Sequence, residues 1–206
     1  MIIFDFDGVI VNTFDLLRDL TRRFDGVDVA VDEYKSFFDG HLFEHPRRAE
    51  FKSFDDPVLK KKFYDGYRAE LPMHNLVSGI DHVISGLAAQ HSLHIVTSGD
   101  EKSISLYLAQ QNLLPHFKSV LGWQTSESKV EKFRLLGVDT KTAHEHFFVT
   151  DTLGDLLQAA QIGLPSIGVS WGFHDEVRLA RGNPLAVVHT PEQLIATLAR
   201  HYANSS

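Results

Sequence analysis

Short apolar runs alternate with helical patterns over most of the chain. The first run, residues 2–6, predicts a buried strand that ends at Asp7-Gly8. Further strands are predicted at residues 94–97, 119–121, 147–149, 166–169 and 186–188. Apolar residues at helical spacing predict helices at residues 80–90, 101–111, 126–135, 153–162 and 176–181. Repeated strand–helix units of this kind predict an α/β fold with a mostly parallel sheet and helices on both faces.

Residues 14–75 interrupt this alternation. Strand-like runs are few there, and apolar residues such as Leu16, Leu20 and Phe24 recur at helical spacing. Glycines and an Asp-Pro step divide the region into several predicted helices. We therefore predict a small helical domain at residues 14–75, inserted into a core formed by residues 1–13 and 76–206.

The end of the chain carries a clear helix start signal. Thr190 is positioned as the N-cap, Pro191 as the first helical residue and Gln193 as the partner in a capping box. We expect the helix to begin there, and we expect the tail at residues 203–206 to fray.

Composition narrows the range of partners. The chain has 206 residues, 43% of them hydrophobic, and a net charge of −7 that argues against a nucleic-acid binder. The absence of cysteine excludes disulfides, zinc–thiolate sites and thiol nucleophiles. The chain begins without a basic leader, and no apolar run reaches the roughly 18 residues of a membrane helix. We expect a cytoplasmic protein without a membrane partner, either a monomer or a homodimer.

Polar and charged residues follow several of the predicted strands. In parallel sheets ligands lie at the carboxyl ends of the strands, so these side chains are expected to converge at one edge. They are Asp5, Asp7, Thr97, Ser98, Lys129, Asp151 and Asp155.

Such a cluster of acids has an electrostatic cost. Two carboxylates about 4 Å apart repel by roughly 4 kcal/mol at an effective dielectric near 20, which is about three pKa units. A divalent cation removes this conflict, and oxygen ligands without cysteine favour Mg²⁺. Lys129 adds a second positive charge for a phosphate oxygen.

Four motifs in order carry a family resemblance. Residues 5–10, residues 95–98, Lys129 and residues 149–155 resemble the four motifs of the haloacid dehalogenase superfamily. Residues 163–172 look like the segment that follows in its phosphoglycolate phosphatase-like members. The resemblance implies a Rossmann-like parallel sheet core with an α-helical cap inserted after the first motif. Two positions depart from the pattern, because Thr150 stands where Gly is common and Asn12 where Asp is common.

The resemblance also implies roles. Asp5 would be the nucleophile that forms an aspartyl-phosphate, and Asp7 the general acid and base. Thr97, Ser98 and Lys129 would bind the phosphoryl group.

The metal site and the cap follow from the same resemblance. Mg²⁺ would be held by the Asp5 carboxylate, the Asp7 backbone carbonyl and Asp151, while Asp155 would orient a metal-bound water or Lys129. The cap would exclude water and contact the substrate. A group of phenylalanines is expected to form the core of the cap and its contact with the sheet domain: Phe37, Phe38, Phe43, Phe51 and Phe54.

Simpler roles remain open for several residues. Thr97 and Ser98 could cap the following helix, and Asp155 could interact with a helix dipole. Lys129 could be a surface lysine. The 12 histidines form no convincing metal set and are expected at the surface or in packing of the cap.

The predicted function is a Mg²⁺-dependent phosphomonoesterase for a small metabolite, with phosphoglycolate or a similar short acid or sugar phosphate as the leading candidate. A hexose phosphomutase and a non-catalytic phosphate-binding protein remain alternatives. The presence of Asp7 argues against a dehalogenase, since a halide leaving group does not need protonation by a general acid. No cap lysine is marked as the Schiff-base residue of a phosphonatase. The order of motifs argues against a signalling receiver domain.

Overall fold

The computed structural model describes residues 1–204 and shows a sheet of six parallel strands. The strands are β1 (Ile2–Phe4), β2 (Leu93–Val96), β3 (Phe117–Leu121), β4 (Phe147–Thr150), β5 (Ser166–Val169) and β6 (Ala186–Val188). Their order is β3-β2-β1-β4-β5-β6, so β1 lies between β2 and β4. This architecture confirms the predicted α/β fold with a Rossmann-like core.

Helices surround this sheet. They are α1 (Phe14–Asp25), α2 (Val31–Ser36), α3 (Pro57–Glu70), α4 (Ile80–Ala88), α5 (Glu101–Gln110), α6 (Lys129–Leu135), α7 (Leu153–Ala160), α8 (Glu176–Ala180) and α9 (Pro191–Asn204). Short 3-10 turns lie at Leu42–Glu44, Arg48–Glu50, Lys52–Phe54, Leu71–Met73, Leu114–His116 and Ala143–Glu145. No helix in the described part of the chain is both long and apolar enough to cross a membrane.

The central position of β1 determines where the site lies. All three of its residues are fully buried, as expected for a strand covered on both faces. Phe4 pairs in register with Ile95 of β2 and with Val149 of β4. The residues that follow these three strands are therefore brought to one edge of the sheet.

Residues 14–75 contain α1–α3 and four of the 3-10 turns, and no strand was found in them. Leu16 and Leu20 of α1 belong to the same apolar cluster as residues of the sheet. A separate cluster holds Phe37 and Phe51, with Phe38 and Phe54 packed against it. The region thus has its own small core while α1 shares the main one, and its division from the rest as a separate domain remains a prediction.

Several predicted boundaries were wrong. The first strand ends at Phe4 rather than at residue 6, and α6 begins at Lys129 rather than at residue 126. The side chain of Ser128 caps α6, because its hydroxyl accepts a hydrogen bond from the backbone N–H of Glu131 at 3.4 Å. Neither Thr97 nor Ser98 caps α5, whose N-cap is Asp100.

At the last helix, Gln193 N–H donates to the Thr190 hydroxyl at 3.3 Å, as predicted. The return bond differs, because Gln193 Oε1 accepts from His189 rather than from Thr190. This helix continues to Asn204, so the tail predicted to fray is helical for two of its residues, and Ser205 and Ser206 lie outside the described residues.

Among the histidines, His174 is fully buried and packs against the region predicted to be the cap. Its Nδ1 accepts a hydrogen bond from Leu153 N–H at 3.0 Å, and its Nε2 lies 2.9 Å from the carbonyl oxygen of Lys35. His174 therefore connects the start of α7 to α2. Burial lowers the pKa of His174, which favours the neutral ring that can accept at one nitrogen and donate at the other.

Candidate active site

Three buried charged side chains meet at the carboxyl edge of the sheet. Asp5 follows β1, Lys129 is the first residue of α6 and Asp155 lies in the first turn of α7. The Lys129 ammonium group donates a hydrogen bond of 2.6 Å to Asp5 Oδ2 and another of 2.6 Å to Asp155 Oδ2. Only 1% of Lys129 is exposed, so it is not a surface lysine.

The charges of this trio shift one another. Burial lowers the pKa of Lys129, but the carboxylates of Asp155 and Asp5 outweigh this effect and raise it overall. Burial raises the pKa of Asp155, but the charge of Lys129 and the hydrogen bonds that Asp155 makes, including one of 2.7 Å from the Thr150 hydroxyl, together lower it overall. Asp5 has its pKa raised, chiefly by burial. Lys129 thus bonds to both carboxyl groups at the same distance, and the direction of the pKa shift differs between them.

Asp7 has a different environment from Asp5. Its Oδ1 accepts hydrogen bonds of 2.7 Å from the hydroxyl groups of Thr13 and Tyr67. Burial raises the pKa of Asp7, while these two hydrogen bonds act in the opposite direction. A carboxyl group with a raised pKa is suited to carrying a proton near neutral pH.

The loop after β2 lines the same space. Thr97 and Ser98 both border the cavity above Asp5 and Asp7. The Thr97 hydroxyl accepts a hydrogen bond from Gly99 N–H at 3.0 Å, and its backbone carbonyl accepts one of 2.6 Å from Lys132. Lys132 is fully buried, so it fixes the Thr97 loop from behind.

Asp151, after β4, has one oxygen without a partner. Its Oδ2 accepts a hydrogen bond from Phe173 N–H at 2.7 Å, whereas its buried Oδ1 has no hydrogen-bond partner in the structure. Burial raises the pKa of Asp151 to about 8. A side chain at Gly8 or at Gly172 would overlap this carboxylate, so only glycine leaves it room.

The acids at this edge of the sheet suit a divalent metal ion. When ionised, Asp5, Asp151 and Asp155 would carry more negative charge than Lys129 can balance, and the Asp151 oxygen without a partner is a hard ligand of the kind that Mg²⁺ takes. No group of three or more His, Cys, Asp or Glu side chains arranged to hold a metal was found within residues 1–204. Two carboxylates completed by a backbone carbonyl fit these residues, because Mg²⁺ commonly keeps waters and substrate oxygens as its other ligands.

A cavity of about 110 Å³ lies above these groups. Its floor includes Asp5, Asp7, Thr97 and Lys129, and its other walls come largely from residues 17–67. The structure therefore brings all seven predicted site residues to one edge of the sheet, and six of them line the cavity. Asp151 is not part of the cavity lining and lies behind Gly8.

Three contributors to the site were not predicted from the sequence, namely Thr13, Tyr67 and Lys132. Tyr67 belongs to an apolar stripe at helical spacing, and such a stripe usually indicates packing. Lys132 carries no local signal, because its partners lie in the loop of β2 and after β3. Their contributions depend on contacts that only the fold creates.

Comparisons with known proteins agree on one family. The sequence pattern of the family described as haloacid dehalogenase-like hydrolase matches residues 2–169. The chain is 24% identical over 207 residues to a phosphoglycolate phosphatase of Synechococcus elongatus, and 28% identical over 219 residues to one of Mesorhizobium japonicum. Both alignments cover 97% of this chain, and they cover 97% and 94% of the relatives. A haloacid dehalogenase-like hydrolase of Streptococcus pneumoniae has a similar fold, with a TM-score of 0.74, 18% identity and coverage of 96% of this chain and 97% of that one.

Proposed function

Since the chain belongs to the haloacid dehalogenase-like hydrolase family, we propose that it is a phosphatase that cleaves small phosphate monoesters through a phosphorylated Asp5. The observation that carries the proposal is the pairing of two acids in different environments. Asp5 contacts Lys129, whereas Asp7 is held by two hydroxyl groups. Two carboxyl groups in separate environments suit a nucleophile and a general acid.

The proposed reaction has two steps. The Asp5 carboxylate attacks phosphorus, the bond from phosphorus to the ester oxygen breaks, and Asp7 gives its proton to the leaving alkoxide. Water then attacks phosphorus and gives a proton to Asp7, and the bond from phosphorus to Asp5 breaks. Inorganic phosphate leaves, and both carboxyl groups return to their starting protonation states.

Other residues would hold the phosphoryl group during both steps. Lys129 would place positive charge against its oxygens, and the Thr97 and Ser98 side chains border the same space. Asp155 acts through Lys129, because it fixes the ammonium group by a hydrogen bond of 2.6 Å. The hydroxyl of Thr150 in turn holds Asp155.

Mg²⁺ is the metal that these residues suit best. Asp5, the backbone carbonyl of Asp7 and Asp151 would hold it, and the buried Asp151 oxygen without a partner supports this assignment. When bound, it supplies positive charge that offsets the acids and the phosphate. Residues 14–75 would form the cap that excludes water from the cavity.

A phosphomutase on the same fold is the main alternative within this family, because it would use both acids. A dehalogenase fits less well, because the two hydroxyl groups that hold Asp7 would have no role with a halide leaving group.

The test is phosphate release from 4-nitrophenyl phosphate and a panel of alkyl phosphates, with Mg²⁺ and with chelator. We expect release that needs Mg²⁺ and that falls by at least about a thousandfold in the Asp5→Asn variant, since an amide is a poor nucleophile. Circular dichroism establishes that the variant is folded. Wild-type turnover by Asp5→Asn would show that Asp5 is not the nucleophile.

A further inference from the structure

The cavity above Asp5 and Asp7 has an unusually aromatic upper wall. Most of the lining residues from 34–64 are aromatic, including Phe38, Phe43, Phe54, Phe63 and Tyr64, and Phe173 adds a further ring. Phe43 and Phe54 are in ring contact, with centroids 4.8 Å apart. Aromatic and apolar walls of this kind bind the apolar body of a ligand.

Charged groups in the wall point to the same conclusion. Lys129 is the only lysine or arginine among the described residues that line the cavity, and it is already bound to Asp5 and Asp155. Two further acids, Asp25 and Glu127, line other parts of the wall. Asp25 is satisfied within the protein, because it accepts hydrogen bonds from the backbone N–H and the hydroxyl of Ser53.

Besides the hydroxyls of Tyr34 and Tyr64, the polar side chain of the upper wall is that of His41. Its Nδ1 is buried and has no hydrogen-bond partner in the structure, and its ring lies against Phe43. A single imidazole nitrogen matches one neutral oxygen of a ligand, such as a hydroxyl or an ether.

We propose that this site takes phosphate monoesters whose leaving group is uncharged and mainly apolar, rather than phosphoglycolate. The proposal rests on the proposed phosphatase function.

The two other substrate classes fit poorly. The carboxylate of phosphoglycolate would lie among aromatic rings and acids without a free lysine or arginine, and burial of an unpaired charge is strongly unfavourable. The hydroxyl groups of a hexose phosphate would each need a partner, and the upper wall offers few polar atoms. A hexose phosphomutase is disfavoured for the same reason, because the hydroxyl groups of its substrate would lack partners.

The test compares kcat/KM for four esters with the Mg²⁺-loaded protein: benzyl phosphate, n-propyl phosphate, phosphoglycolate and glucose 6-phosphate. Propyl phosphate and phosphoglycolate are similar in size and are both esters of primary alcohols, so the pair isolates the effect of the carboxylate. We expect kcat/KM for phosphoglycolate to be at least about tenfold below that for propyl phosphate, and benzyl phosphate to be best. A higher kcat/KM for phosphoglycolate or for glucose 6-phosphate would overturn the proposal.

Variants of Phe43 test the wall itself. Phe43→Ala should lower the ratio of kcat/KM for benzyl phosphate to that for phosphoglycolate, mainly through KM. Phe43→Arg should lower this ratio further, because it supplies the cation that the wall lacks. Val58→Ala is the control, because Val58 is exposed on α3 outside the cavity, and it should leave the ratio unchanged. An unchanged ratio in both folded Phe43 variants would contradict the assignment of this wall.

This experiment distinguishes failure of the proposed substrate class from failure of the proposed phosphatase function. Preference for phosphoglycolate, with turnover abolished in Asp5→Asn, would leave the phosphatase function standing and remove the substrate class. No hydrolysis of any ester, 4-nitrophenyl phosphate included, would remove both.

Discussion

The two carboxyl groups of the first motif differ in their hydrogen-bond donors. Asp5 Oδ1 accepts from Phe6 N–H at 2.7 Å and its Oδ2 from Lys129, whereas Asp7 Oδ1 accepts from two hydroxyl groups. Tyr67 belongs to α3, so the orientation of Asp7 depends on the helical region that covers the cavity. A displacement of α3 would remove one of the two donors from Asp7.

Tyr67→Phe tests this dependence. It removes one donor to the carboxylate that Asp7 becomes as it gives up its proton, a loss of about 1.5–3 kcal/mol, so kcat for benzyl phosphate should fall by roughly 10- to 100-fold. The fall should be smaller for 4-nitrophenyl phosphate, whose leaving group needs little protonation.

Tyr107→Phe is the matched control for Tyr67→Phe. It also removes a buried hydroxyl, which donates to the carbonyl of His74, but it lies outside the cavity lining. In Tyr107→Phe, the ratio of kcat for benzyl phosphate to kcat for 4-nitrophenyl phosphate should not change. If Tyr67→Phe lowers both kcat values equally, Tyr67 does not act through the general acid.

At the scale of elements, α7 connects the site to the region above it. Gly154 N–H donates to the carbonyl oxygen of Phe38 at 2.8 Å, and a Cβ at Gly154 would overlap the carbonyl oxygen of Gly40. The residue after Gly154 is Asp155, the partner of Lys129. The contact therefore joins the backbone after α2 to the element that positions the lysine.

Gly154→Ala should push residues 38–40 away from α7. We expect kcat/KM for benzyl phosphate to fall at least about tenfold, because the roof of the cavity moves relative to the acids. Gly86→Ala in α4 is the control, because a Cβ there meets nothing within 4 Å. It should raise the free energy of unfolding by about 0.5–1 kcal/mol and leave kinetics unchanged. Equal kcat/KM values for benzyl phosphate in Gly154→Ala and Gly86→Ala would contradict a role for the contact between Gly154 and residues 38–40.

The elements were predictable where apolar runs are distinct. Strands β4 to β6 lie at or within one residue of the predicted runs, because buried parallel strands are continuously apolar. Boundaries at the site were less predictable, since Phe6 continues the apolar pattern beyond Asp5 after the ladder of β1 has ended. The 3-10 turns between residues 42 and 54 have no periodicity that would indicate them.

At the scale of the whole molecule, the site joins distant parts of the chain. Lys129 and Asp5 are 124 residues apart in sequence, and Tyr67 and Asp7 are 60 apart. Motif order and the rule for strand ends predicted that the acids and Lys129 converge. Neither could predict the aromatic wall over them: Phe43 was expected in the core of the cap but lines the cavity.

The central claim is that phosphate passes through Asp5. The most direct measurement is acid quenching of the enzyme during turnover of a radiolabelled ester, followed by peptide mapping of the label. We expect an acid-stable, hydroxylamine-sensitive phosphoryl group on Asp5, and none in the Asp5→Asn variant. A label on another residue, or turnover by Asp5→Asn at the wild-type rate, would contradict the account.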